Sequence, residues 1–228
     1  MDTARTEHGE ELVRVAAGRV SLEGSLGVPA GARGVVLFAH GSGSSRHSSR
    51  NRYVAGELRG AGLGTLLIDL LTPHEEAVDA RTAHLRFDID LLANRLVGAL
   101  RWLGADPRTQ GLPVGLFGAS TGGGAALVAA AARANEVGAV VSRGGRPDLA
   151  GRALPEVRAP TLLVVGGDDV PVIRLNEQAY AQLRCEKRME IVPGASHLFE
   201  EPGTLERVAE LATAWFVRHL GTGILRTA

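Results

Sequence analysis

Apolar runs separated by polar loops predict most of the strands of this chain. Val35–Ala39 is continuously apolar, which is typical of a strand covered on both faces. Four more short runs, apolar except at some end positions, also predict strands: Thr65–Asp69, Val114–Phe117, Val137–Ser142 and Thr161–Val165. Arg188–Val192 (RMEIV) predicts a last strand. Near the amino end, Glu11–Ala16 and Arg19–Val28 alternate loosely around Gly18, which predicts an antiparallel edge pair.

The stretches between these runs have apolar residues at helical spacing. Helices are predicted over Asn51–Gly62, Leu85–Leu103, the Ala-rich segment after Ser120, Val172–Leu183 and Thr204–Leu220. Leu70–His84, with Pro73 and two glutamates, is interpreted as a longer connection, and residues 1–9 as a frayed tail. Strands that alternate with helices predict an α/β fold with a mostly parallel central sheet and helices on both faces, in one domain over residues 1–228.

Composition narrows the possible functions. Lys plus Arg and Asp plus Glu both number 25 in 228 residues, so no basic field would attract nucleic acid or an anionic membrane. The single cysteine, Cys185, excludes an intramolecular disulfide, and no H-E-x-x-H spacing predicts a metal site. The first residues are charged, without the apolar core of a secretory signal. We therefore expect a cytoplasmic protein without nucleic-acid or membrane partners.

The chemistry is best indicated by Ser120. It lies in Gly118-Ala119-Ser120-Thr121-Gly122, directly after an apolar run and directly before a helical pattern. Strand, sharp turn and helix form the context that a G-x-S-x-G nucleophile elbow requires. The alternative interpretation is a glycine-rich turn that only begins a helix.

Other polar residues follow predicted strands, where the loops of a parallel sheet form binding sites. A serine nucleophile needs a base, and that base needs a third group to orient it. His197 follows the last strand, and both Asp168 and Asp169 follow the strand before it. The chain order Ser, Asp, His is the order expected for an α/β-hydrolase. Either aspartate could be the third group on this evidence.

Several segments make the chain resemble the α/β-hydrolase superfamily, in particular its dienelactone-hydrolase-like branch. They are HGSGSSRHSSRNRYVA (40–55), GASTGG (118–123), VSRGGRPDLAG (141–151), VGGDDVPV (165–172) and GASHLFEEPG (194–203). The last segments are similar to those of hydrolases found alone or fused to phosphoribosyltransferase domains. The prototype of the branch uses a cysteine nucleophile, whereas this chain has Ser120.

The resemblance implies a site built from Ser120, Asp169 and His197. It aligns Gly166–Asp169 with the acid turn of the superfamily, which favours Asp169 and leaves Asp168 to cap a turn or helix. It also implies little or no cap, since only Arg143–Pro160 is available for one, and hence an open site that Leu70–His84 partly covers. The implied activity is hydrolysis of small carboxylic esters or lactones through an acyl-enzyme, without a cofactor.

Further site residues are expected around the elbow. The backbone N–H groups of Thr121 and Ser42 are predicted to stabilise the oxyanion, with Gly41 beside the substrate. Arg143 and Arg146 follow a strand at the rim of the site, where they would bind an anionic group of the substrate, pair with nearby carboxylates or face water. His40 is expected to shape the oxyanion loop, and Asp69 to form a turn.

Alternatives to an esterase stay open at this point. A thioesterase or peptidase would use the same residues, and an inactive binding module could keep the same fold. A nucleotide-binding protein is suggested by the glycine-rich loop at 41–45, but this loop has no lysine, and neither G-x-x-x-x-G-K-[ST] nor G-x-G-x-x-G is present in the sequence.

Overall fold

The protein is built on one eight-stranded sheet. The computed structural model describes residues 10–221, so the predicted tail at residues 1–9 lies outside the described residues. The strands are β1 Glu11–Ala17, β2 Val20–Gly27, β3 Val35–Ala39, β4 Gly64–Ile68, β5 Val114–Ala119, β6 Val137–Arg143, β7 Thr161–Gly166 and β8 Lys187–Val192. Their order across the sheet is β1-β2-β4-β3-β5-β6-β7-β8.

The sheet is parallel from β4 to β8. Only β1 with β2 and β2 with β4 pair antiparallel within residues 10–221. Every residue of β3, β4, β5 and β7 is buried, which explains why these strands read as continuous apolar runs. The predicted α/β fold with a mostly parallel sheet is confirmed.

Helices cover both faces of this sheet. They are α1 Ser49–Gly60, α2 Pro73–Thr82, α3 Ile89–Ala105, α4 Thr121–Ala132, α5 Val170–Gln182 and α6 Thr204–Leu220. One apolar core includes buried residues of α3, α4 and α5, and a second core on the other side includes buried residues of α1 and α6. The carboxyl ends of the parallel strands therefore open between two helical layers.

Helix α2 was not predicted. Within the segment interpreted as a connection, Thr72 caps the helix: its side chain accepts a hydrogen bond from Glu75 N–H, and the Glu75 side chain accepts one from Thr72 N–H. Pro73 occupies the first turn, where its missing N–H costs nothing. Asp79 is the only buried residue of α2, so apolar periodicity gave no signal, whereas the capping box did.

The next helix starts later than its pattern predicts. Leu85–Phe87 form a short 3-10 turn, and α3 begins at Ile89, because Asp88 accepts a hydrogen bond from Leu91 N–H and caps it. Between β6 and β7, the chain adds only the 3-10 segment Pro147–Glu156. Within residues 10–221, no helix is both long enough and apolar enough to cross a membrane.

Candidate active site

Ser120 lies at the turn between β5 and α4 in a strained backbone conformation. Its φ is 51° and its ψ is −123°, a region that costs a non-glycine residue about 1–3 kcal/mol. Close packing at the flanking glycines leaves no room for side chains. A Cβ at Gly118 would lie 2.5 Å from Gly122 O, and one at Gly122 would lie 2.4 Å from Ala39 O. The G-x-S-x-G pattern is thus explained by the contact of this turn with α4 and β3.

Backbone hydrogen bonds hold Ser120 in this conformation. Its N–H donates to Arg143 O at 3.3 Å, and its carbonyl accepts from Arg146 N–H at 3.0 Å and from Gly123 N–H at 2.9 Å. Two of these three bonds go to the end of β6 and the loop that follows it. The strained turn is therefore supported from outside its own segment.

His197 and Asp169 are joined by a short hydrogen bond. His197 Nδ1 lies 2.6 Å from Asp169 Oδ2. A carboxylate can only accept here, so the proton is on Nδ1, and Nε2 is left as an acceptor. The side chain of Asp169 is 13% exposed, whereas Asp168 is an exposed residue. Of the two aspartates that sequence left open, the structure brings Asp169 to the histidine.

The loop after β3 lies against the nucleophile turn. A Cβ at Gly41 would be 3.1 Å from Ser120 Cβ, so a larger residue would push against the Ser120 turn. His40, which is 9% exposed, ties the start of the loop to the end of β4: its Nε2 accepts from Leu70 N–H at 3.0 Å, and its Nδ1 donates to Gly41 O at 2.9 Å. Burial lowers the pKa of His40 below its ordinary value, which keeps the ring neutral.

Asp69 anchors the same loop further along. Its carboxylate accepts a hydrogen bond from Arg46 N–H at 2.7 Å and forms an ion pair with the Arg46 guanidinium. Asp69 has this structural role at the end of β4 and takes no part in the His197 pair. The loop of residues 40–48 is therefore held at its start by His40 and near its end by Arg46.

These elements enclose a cleft of about 240 Å³ at the carboxyl ends of the strands. It is lined by residues from the β3 loop, α1, the nucleophile turn and the ends of β6 and β8: Gly41, Ser42, Ser44, Ser48, Arg50, Asn51, Ala119, Ser120, Arg143, His197 and Leu198. Ser120 therefore shares one cleft with four other predicted site residues: Gly41, Ser42, Arg143 and His197. Asp169 reaches the cleft through His197.

The remaining two predicted residues have other surroundings. Thr121 is buried as the first residue of α4, adjacent to Ser120. Arg146 is not among the residues that line the cleft. Its guanidinium forms two hydrogen bonds of 2.8 Å with Asp148, so it is paired within its own loop.

Arg143 is the most unusual group in the cleft. Its residue is 6% exposed, its Nε has no hydrogen-bond partner, and its other contacts are long: 3.5 Å to Leu198 O and 3.5 Å to Asn51 Oδ1. The guanidinium carbon lies 5.8 Å from the centre of the Phe199 ring. Burial, and then repulsion by Arg50, lower the pKa of Arg143 to about 10.

Sequence reasoning missed the part of the cleft that α1 contributes. Arg50 and Asn51 line it from the first turn of α1, which Ser48 caps by accepting a hydrogen bond from Asn51 N–H. A signal was present, because a helix that follows the loop of a buried parallel strand begins at the carboxyl edge of the sheet.

Among residues 10–221, no group of three or more His, Cys, Asp or Glu residues could hold a metal ion.

Comparison with known proteins agrees with this architecture. The model of the dienelactone hydrolase family matches residues 22–219. A crystal structure of a dienelactone hydrolase from Anabaena variabilis is 66% identical, with a TM-score of 0.91, and the match covers 92% of this chain and 98% of that one. Est1E from Butyrivibrio proteoclasticus has the same fold, with a TM-score of 0.77 at 14% identity over 92% of this chain and 99% of that one.

A curated relative is longer than this chain. A provisionally named phosphoribosyl transferase of Mycobacterium tuberculosis is 60% identical over 211 residues, which is 92% of this chain and 47% of the relative. The chain thus spans about half the length of the curated relatives it matches.

Proposed function

This chain belongs to the dienelactone hydrolase family, and from that premise we propose that it is a serine hydrolase that cleaves small carboxylic esters or lactones. The observation that carries the proposal is the pair of His197 and Asp169, joined at 2.6 Å, in a cleft that His197 shares with a strained Ser120. A histidine oriented by a carboxylate beside a serine on a nucleophile elbow is the arrangement of serine acyl transfer.

The reaction would proceed in two steps. Nε2 of His197 takes the proton of Ser120 as its Oγ attacks the ester carbonyl, and the resulting imidazolium is stabilised by Asp169. The protonated ring then delivers this proton to the leaving alcohol, which leaves an acyl-enzyme on Ser120. Water, activated by the same nitrogen, releases the acid. Acyl transfer to water by this route uses no cofactor.

The tetrahedral intermediate needs donors for its negative oxygen. We assign them to the backbone N–H groups of Thr121 and Ser42. Thr121 begins α4, whose first amides lack intrahelical acceptors, and Ser42 lies in the fixed loop beside Ser120. Each such donor contributes about 3 kcal/mol of transition-state stabilisation.

The open cleft favours small substrates. The chain adds no cap domain between β6 and β7 in the described residues. Helix α2 borders a small neighbouring hollow, where Glu76 and Asp79 lie with Ser42 and Thr121. The curated relatives are named as phosphoribosyl transferases, and this chain covers about half of their length. We assign hydrolysis, not phosphoribosyl transfer, to the half that it matches.

The test is hydrolysis of p-nitrophenyl acetate by the wild-type protein and by Ser120→Ala, with fluorophosphonate labelling alongside. We expect turnover and labelling in the wild type, and a loss of turnover of at least about 10³-fold with no labelling in the variant. A thioester and a peptide anilide of the same acyl group would separate an esterase from a thioesterase or peptidase. A folded wild-type protein that gives neither turnover nor labelling would instead be a binding module.

A further inference from the structure

The cleft carries more positive charge than its own carboxylates balance. Arg50 pairs with Glu200 at 3.0 Å, and this pair is solvent-accessible, with Glu200 61% exposed. Arg143 forms no salt bridge with any residue in the range 10–221, although it is almost fully buried. A buried guanidinium without a carboxylate is costly, and the repulsion from Arg50 adds to the cost. An anion bound between the two arginines would remove both penalties.

Helix α1 adds to this field. Its amino end opens into the cleft, where Ser48 caps it and where its first turn contains no acidic residue. The first amides of a helix lack intrahelical acceptors and favour anions. Ser44 and Ser48 also line the cleft, and the Ser48 hydroxyl accepts from Asn51 N–H. Arg143 lines the same cleft, with its Nε buried without a hydrogen-bond partner and its terminal nitrogens held only by 3.5 Å contacts.

We propose that the ester substrate carries a phosphate group, which binds between Arg143 and Arg50 at the amino end of α1 while the carbonyl group lies at Ser120. This inference rests on the proposed function and names its substrate class. The phosphate is a recognition group that is not transferred, and the bond that breaks is the carboxylic ester.

The charge and the number of donors favour phosphate over carboxylate. A phosphate monoester carries a charge near −2 at neutral pH and three strong acceptor oxygens. Its three oxygens can accept from Arg143, from Arg50 and from the first amides of α1 at once, whereas a carboxylate has only two oxygens. Guanidinium groups bind phosphate through two parallel hydrogen bonds, and the donors converge here from two side chains and a helix end.

Three methyl esters with the same α-oxygen but different terminal groups test the proposal in a buffer free of phosphate. They are methyl phosphoglycolate, monomethyl diglycolate and methyl methoxyacetate, which present a phosphate, a carboxylate and no charge. We expect kcat/KM for the phosphate ester to exceed that for the other two by at least about tenfold. Equal or faster hydrolysis of monomethyl diglycolate, or of methyl methoxyacetate, would overturn the assignment.

Variants of two arginines locate the site. In Arg143→Gln, the ratio of kcat/KM for the phosphate ester to that for the neutral ester should fall about 100-fold, mainly through KM. Arg146→Gln is the matched control, because Arg146 pairs with Asp148 outside the cleft, and it should leave this ratio unchanged. An unchanged ratio in Arg143→Gln would overturn the proposed site.

Binding of 2-phosphoglycolate, measured by calorimetry, separates this inference from the proposed function. The product analogue should bind the wild type and Ser120→Ala alike and bind Arg143→Gln at least about tenfold more weakly. If no ester is hydrolysed but this binding pattern is found, the hydrolase function fails and the phosphate site stands. If p-nitrophenyl acetate is hydrolysed but 2-phosphoglycolate does not bind, the phosphate site fails and the hydrolase function stands.

Discussion

Replacement of Asp169 by asparagine tests the central contact of the site. The carboxylate oxygen lies 2.6 Å from His197 Nδ1, and in the proposed mechanism the imidazole becomes positively charged during attack by Ser120. Two unit charges about 4 Å apart interact by about 4 kcal/mol at an effective dielectric constant of 20. Because the side chain of His197 is 39% exposed, solvent screening reduces this value, and we take about 2–4 kcal/mol.

This energy predicts a fall in kcat of about 30- to 1000-fold for Asp169→Asn, at about 1.4 kcal/mol per factor of ten. If the asparagine amide also donates to Nδ1 and so places the ring proton on Nε2, the loss reaches about 10⁴-fold. KM should change little, because the charge appears only in the transition state.

The assay is steady-state hydrolysis of p-nitrophenyl acetate, with thermal unfolding to confirm that each variant folds. Asp168→Asn is the matched control: its residue is the neighbour in sequence and is exposed, so we expect activity within about twofold of the wild type. The reasoning is refuted if Asp169→Asn keeps more than a third of kcat, or if Asp168→Asn loses as much.

Two further substitutions test the elbow and its loop. In Gly122→Ala, the new Cβ would lie 2.4 Å from Ala39 O, so we expect the free energy of unfolding in urea to fall by about 1–3 kcal/mol and turnover to decrease. Gly104→Ala is the control, because a Cβ there has open space and should not destabilise the protein. Equal behaviour of the two variants would contradict the packing argument. The lowered pKa of His40 means that the unfolded chain binds the proton first, so stability is lost as the pH falls below about 6.5. Between pH 7.5 and 5 the loss should reach up to about 2 kcal/mol in the wild type. The loss of stability should be smaller in His40→Gln, because the glutamine oxygen can accept from Leu70 N–H without titrating. Identical pH profiles of the two proteins in urea unfolding would exclude a contribution of His40 to this loss.

The strands could be predicted from the sequence because a strand buried on both faces is apolar at nearly every position. Val35–Ala39 is apolar throughout, Thr161–Val165 is apolar after its first residue, and the observed strands match these runs to within one residue. Helix α2 has no such apolar pattern. It is held by Thr72, Glu75 and Pro73 at its start and buries only Asp79, so its signal was in the capping residues and not in periodicity.

The site was predictable as far as it depends on strand ends. Ser120, Asp169 and His197 each follow a strand, and parallel strands bring their ends to one edge. The different surroundings of Arg143 and Arg146 could not be read from the sequence. Gly144, with a φ of 48°, turns the chain between them, so that one guanidinium is buried in the cleft and the other pairs with Asp148.

The order of strands in the sheet has a consequence for biosynthesis. Strand β5 pairs with β3, and from β5 onward the sheet grows outward in chain order through β6, β7 and β8, so each new strand pairs with the one before it. A chain folds from its amino end as it is made. Ser120 follows β5, but Asp169 follows β7 and His197 follows β8, the outermost strand. In the proposed mechanism, a nascent chain therefore contains the nucleophile long before it contains the base, and hydrolysis would begin only when the last strand docks.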